Sequence, residues 1–256
     1  MSESKSPLKA PPLRLPGQSL ETQLDDYVTD HALLPIVGAT FMVGMAFMEW
    51  SRYWNQSPPM PWLVTAMATA VCAYAGWKVW RAKIKVRQLK QGRDGERAVG
   101  QFLERFRVDG FQIFHDVVTG DANIDHVLIG PRGIFTIETK TLSKPVRGEC
   151  RIIANHEGVT ANGLKLDRNP VIQAKAQAAW LKHHFGDADF KVSVQPVVVF
   201  PGWFVEPADF NAIGAWVLEP KALPAFIERR AEVISESDVR SLSLALANYI
   251  RSQAKL

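Results

Sequence analysis

The chain has 256 residues, 47% hydrophobic and 22% charged, which is enough apolar side chain for one sizeable core and excludes a wholly disordered chain. Its two cysteines, Cys72 and Cys150, exclude a disulfide framework and a cysteine-rich zinc site. The net charge of +4 is local: Lys78, Arg81, Lys83, Lys85, Arg87, Lys90 and Arg93 precede the next acid, Asp94, and removing those seven charges leaves −3, so the basic balance does not mark a nucleic-acid face on the globular part.

Residues 1–31 begin with a stretch carrying Pro7, Pro11, Pro12 and Pro16 and are expected to be a disordered cytoplasmic tail. Two uncharged runs follow, Ala32–Met48 and Pro61–Trp77, each about 26 Å long as a helix. That falls slightly short of a hydrocarbon core of roughly 30 Å, and Trp50, Trp54, Trp62, Trp77 and Trp80 extend each run into the interface. With the turn residues Asn55–Pro59 between them, residues 32–80 are expected to form a two-helix transmembrane hairpin rather than a pair of core helices or a cleaved signal peptide. The basic stretch 78–93, with 81–93 as a juxtamembrane linker, fits a stop-transfer flank against anionic lipid headgroups. By the positive-inside rule this places both soluble parts in the cytoplasm, beneath a multi-pass segment in the inner membrane.

The soluble domain is expected over 94–256, with a core at about 94–205 and C-terminal helices within 221–255. Val99, Phe102, Leu103 and Phe106 recur at helical spacing, so an amphipathic helix opens it. Glu96, near the start of that helix, is by itself an acid favoured by the helix dipole by about 0.3–1 kcal/mol. Strands follow at Phe111–Val118, Ile124–Gly130 and Gly133–Lys140, the last two joined by the turn Gly130–Gly133. If Ile129 faces Ile134 across that turn, antiparallel register places Val127 opposite Thr136 and Asp125 opposite Glu138. Period 2 then puts Lys140 on the face of Glu138.

Two facing carboxylates repel unless a positive charge lies between them, and Mg²⁺ takes oxygen ligands from one or two carboxylates while keeping several waters. Taken singly, Asp125 could end a strand and Glu138–Lys140 could be a surface ion pair of about 0–1 kcal/mol. The apolar neighbours Val127, Ile129, Phe135 and Ile137 imply instead a sheet covered on both faces. Downstream, Asn169 and Pro170 open a helix carrying Gln173, Lys191–Gly202 reads as a buried strand, Cys150–Gly163 as a hairpin, and Gly214–Pro220 as another strand. His126 points away from Asp125, and His115, His156, His183 and His184 read as structural.

An acid followed by acid-x-lysine on the next strand, behind a helical glutamate, resembles the PD-(D/E)xK nuclease superfamily. The stretches GRDGERAVGQFL, IDHVLIGPRGIFTIETK and NPVIQ resemble more narrowly the nuclease-related domain NERD, over about Gly92–Phe200. The resemblance implies a restriction-endonuclease-like α/β fold, a mixed sheet flanked by helices. It makes Asp125 and Glu138 ligands of Mg²⁺ or Mn²⁺, Glu96 a support of the metal shell, Lys140 the catalytic lysine and Gln173 an amide near the metal or substrate phosphate. Ile124 stands where the superfamily has proline. The expected partners are nucleic acid, DNA first, membrane lipid through 32–80 and 78–93, and a second copy of the chain if both strands are cut. The alternative is an inactive nuclease-fold module that binds nucleic acid or a protein at the membrane.

Overall fold

The structure, a computed structural model, describes residues 13–56, 60–120, 123–145, 149–187, 190 and 192–253. It divides into two compact units, Ser19–Gln91 and a second made of the residues up to Gln18 together with Gly92–Leu256.

The first unit is helical: α1 (Gln18–Val28), a π-helical turn (Thr29–Leu33), α2 (Leu34–Trp54) and the start of α3 (Pro61–Leu103). On α3, Ala68, Ala75 and Ala82 are buried seven residues apart, a stripe small enough for close helix approach. Trp50 Nε1 donates to Thr65 Oγ1 at 3.1 Å and its ring meets Trp62 edge-on. The outward surface is apolar: Leu34, Val37, Phe41, Phe47, Trp62, Leu63 and Met67 are all exposed. Among the described residues, one helical stretch, Gln18–Trp54, has the length and composition to cross a membrane, with a mean hydropathy of 1.7 and none of its apolar window buried. A membrane span and a signal sequence share those properties.

One expectation is met in part here and another changes. The second apolar run is helical but does not reach the same measure, because Pro61, two tryptophans, Tyr74 and Gly76 dilute its aliphatic content. The tail expected to be disordered is ordered from residue 13 onward; the rest of it, residues 1–12, lies outside the described residues. Leu20, Leu24 and Val28, spaced four apart, give α1 an apolar stripe that its acids Glu21, Asp25 and Asp26 mask in composition.

The second unit is built on a five-stranded mixed sheet in the order β1-β2-β3-β7-β9. Strands β1 (Gln112–Val118), β2 (Asn123–Gly130) and β3 (Gly133–Thr139) run antiparallel; β7 (Val194–Val199) and β9 (Trp216–Leu218) run parallel to β3. The expected register is observed, with Ile129 opposite Ile134 and Val127 opposite Thr136. A second sheet, β6-β5-β4-β8, joins β4 (Arg151–Asn155), β5 (Gly158–Ala161), β6 (Leu164–Lys165) and β8 (Phe204–Val205). Helix α4 (Pro170–Asp187) makes the crossover from β3 to β7, and Asn169 caps it by accepting from Val171 N–H at 3.0 Å. Helices α5 (Phe210–Ile213), α6 (Leu223–Glu228) and α7 (Glu236–Gln253) complete the unit.

Alternation along the strands loads both faces of the main sheet. Leu128, Phe135, Ile137, Val197 and Val199 pack with Val99 and Leu103 of α3 and Ile227 of α6. Val127, Ile129 and Ile134 pack with Leu181 and Phe185 of α4 and Leu242 and Leu246 of α7. A polar side chain on β3 is therefore buried along the whole strand, Glu138 and Thr139 at its end included. The β2–β3 turn depends on Gly130, where an added Cβ would lie 2.3 Å from the Phe111 ring. Gly130→Ala is expected to destabilise the protein by about 1–3 kcal/mol through overpacking, read as a lowered thermal midpoint with unchanged helical circular dichroism in the folded baseline.

Candidate active site

The open end of the β2–β3 hairpin gathers the acids. Asp125 lies one step beyond the last ladder pair, His126 with Ile137, so it occupies the register position opposite Glu138. Its Oδ2 accepts from Thr139 N–H at 2.7 Å, which replaces the ladder bond and turns the carboxylate along the strand end. Glu138, 2% exposed, accepts on Oε1 from Lys140 Nζ at 2.7 Å and on Oε2 from Gln177 Nε2 at 2.6 Å. Lys140 Nζ also donates to Gln173 Oε1 at 3.1 Å, and Lys140 N–H bonds Val199 O at 2.9 Å, so β7 holds the backbone while α4 holds the side chain.

Glu96 reaches this cluster because α3 comes very close to the end of β3. A Cβ on Gly95 would lie 1.7 Å from Thr141 Oγ1, so glycine is what permits the approach. Burial, then the charges of Asp116 and Glu138, push the Glu96 carboxyl from 4.5 up to about 8 against the pull of Lys140. Burial likewise raises Asp125 well above the usual carboxylate range, reinforced by Glu138 and Glu96 and opposed by the Thr139 N–H and Lys140.

The five residues expected from the sequence thus lie together: Glu138, Lys140 and Gln173 are joined by direct hydrogen bonds, Asp125 bonds the backbone amide after Glu138, and Glu96 is near enough to be acted on by the charges of Glu138 and Lys140. Among the described residues, no three His, Cys, Asp or Glu side chains form a ready-made metal ligand set. The donor chemistry still suits Mg²⁺ or Mn²⁺, which take carboxylate oxygens and fill their remaining positions with water. Burial first, and then mutual repulsion, raises Asp125 and Glu96, and the repulsive part is of the kind a divalent cation relieves.

Three further polar residues belong to the same network. Gln177 sits one helical turn after Gln173 and also donates to Asn123 O at 2.8 Å. Asn123 Nδ2 donates to Asp116 Oδ1 at 3.1 Å. Asp116 is 2% exposed, with a left-handed φ of 50° at the β1 position opposite Asp125. The spacing from Gln173 to Gln177 signals a shared helix face, and Asp116 is a charge inside an apolar strand; either could have been singled out from sequence. On the opposite sheet face, fully buried His126 pairs Nδ1 to Nδ1 with His115 at 2.9 Å, and His115 Nε2 meets Glu104 at 3.1 Å. Burial lowers both imidazole pKa values, which favours the neutral rings.

None of the curated proteins matches this chain. Among solved structures, the crystal structure of protein VC1899 from Vibrio cholerae aligns at 12% identity and a TM-score of 0.32, over 93% of this chain and 58% of that one. This chain therefore spans less than two thirds of that chain's length.

Two measurements check the site. Gly95→Ala should destabilise by about 1–3 kcal/mol in thermal unfolding, whereas Gly186→Ala, with nothing within 4 Å of its added Cβ, should be neutral or slightly stabilising. Between pH 4.5 and about 8 the folded protein keeps a Glu96 proton that the unfolded chain releases, so metal-free stability falls as pH rises through that window. Glu96→Gln removes this loss, and its thermal midpoint should gain on the parent's progressively up to about pH 8.

Residues 91–201, which hold Glu96, Asp125, Glu138, Lys140 and Gln173, match the family model of the nuclease-related domain, NERD.

Proposed function

We propose that the chain is a membrane-anchored, metal-dependent nuclease that hydrolyses phosphodiester bonds of nucleic acid, DNA first, on the cytoplasmic side. The observation that carries this reading is Glu138, a buried carboxylate beside Asp125, fixed on one oxygen by Lys140 and on the other by Gln177. Asp125 and Glu138 would hold Mg²⁺ or Mn²⁺, with Glu96 at the edge of the shell. The ion supplies Lewis-acid stabilisation of the charge that develops on the phosphate. Lys140, held by Gln173, presents a cation at the mouth of the site, where it can orient an attacking water or meet a phosphate oxygen.

Two facts support the anchor. Large aliphatic and aromatic side chains stand exposed in succession along α2 and early α3, the kind of surface that marks a membrane or partner contact. Residues 13–17 belong to the same compact unit as Gly92–Leu256, so the segment 19–91 leaves that unit and returns to it. A membrane crossed on the way out must be crossed again on the way back, which favours two spans over one. The basic stretch 78–93 would keep the unit in the cytoplasm, against an inner membrane.

The rival reading, an inactive binding module, draws on the same hydrogen bonds: both Glu138 oxygens are occupied by protein donors. The full chain in detergent, offered plasmid, linear and single-stranded DNA and RNA with Mg²⁺, Mn²⁺ or EDTA, separates the two. The nuclease reading expects cleavage abolished by EDTA and reduced about 100-fold or more in Asp125→Ala and Lys140→Ala. No cleavage of any substrate, with no metal-induced thermal shift, would favour the module.

A further inference from the structure

The segment Leu13–Gly17 lies against the nuclease-related unit through fitted contacts. A Cβ on Gly100 would come within 2.8 Å of Pro16, so α3 carries glycine where the segment crosses it. Gly17 adopts φ +70°, and a Cβ there would come 3.2 Å from Arg93 O. Two residues before Pro16, Arg14 Nε donates to Asp116 Oδ2 at 2.8 Å, an ion pair between residues 102 apart in sequence. The Asp116 side chain is 3% exposed and that of Arg14 26%.

From Asp116 a series of hydrogen bonds, carried across Asn123 from its side chain to its backbone carbonyl, leads into the site. Asp116 Oδ1 takes the Asn123 side-chain amide; Asn123 O takes Gln177 Nε2; and Gln177 Nε2 reaches Glu138 Oε2. We propose that Arg14 is a positioning residue of the candidate active site, orienting Glu138 through Asp116, Asn123 and Gln177, so that the segment before the apolar helices is part of the working site. This rests on the nuclease reading for its effect on catalysis and stands independently of it as a structural coupling. Arg14 compensates the buried Asp116 charge; without the guanidinium, the acid opposite Asp125 must be held in low dielectric with less positive charge beside it, and its grip on Asn123 loosens.

The test uses the full chain with Arg14→Ala, Arg14→Lys, Asp116→Asn and the double variant Arg14→Ala/Asp116→Asn. With an active parent, Arg14→Ala should lower kcat about 10-fold or more with little change in KM, and Arg14→Lys should lose less. The double variant should recover most of the loss, because the neutral amide introduced by Asp116→Asn still bonds Asn123 and needs no guanidinium. A segment acting only as packing would not be rescued by Asp116→Asn. Equal kcat in Arg14→Ala and parent, or no recovery in the double variant, would overturn the proposal. Should the parent cleave nothing, the nuclease reading fails alone, and thermal midpoints decide Arg14: non-additive losses at Arg14 and Asp116 support the coupling, and additive losses overturn it.

Discussion

The Glu138 carboxylate is the constraint around which the second unit is arranged. Taking a carboxylate out of water costs several kcal/mol unless paired and hydrogen-bonded, and here each oxygen receives one strong donor. Hydrogen bonds to a charged group contribute about 1.5–3 kcal/mol each, so the two together are of the size needed to offset that cost. Supplying them demands the fold: Lys140 two residues on, just past the end of β3, and Gln177 on the helix that makes the β3–β7 crossover. The same crossover places Gln173 to hold Lys140, so one helix face orients both charged partners.

Glycine governs how closely the surrounding elements approach that carboxylate. Gly95 lets α3 come close enough to Thr141 for Glu96 to feel the Glu138 charge, and Gly100 leaves room for Pro16 and with it Arg14. The site is thus assembled from chain positions far apart, before the apolar helices and after them.

The central hairpin is legible in the sequence because its signals are local and periodic. Gly130–Gly133 fixes the turn, the apolar alternation fixes the register, and Asp125, Glu138 and Lys140 follow from counting by two. The second layer is less legible. Asp116 and Gln177 stand out by an apolar context and by helical spacing, yet their partners lie far away in sequence. Arg14, in a proline-rich stretch without periodicity, has no local signal, since its meaning comes from a tertiary contact. The second apolar run reads as equal to the first only when absence of charge is weighed above hydropathy, which aromatics, proline and glycine lower.

The central claim is that Asp125 and Glu138 share a divalent cation, with Lys140 and Gln177 as the groups that place Glu138 for it. Anomalous diffraction at the manganese edge, from crystals of the full chain grown with Mn²⁺, tests this most directly. The account predicts a peak within coordination distance of both carboxylates, absent in crystals of Asp125→Ala. A well-ordered site with no peak there, and the Lys140–Glu138–Gln177 bonds intact, would contradict it.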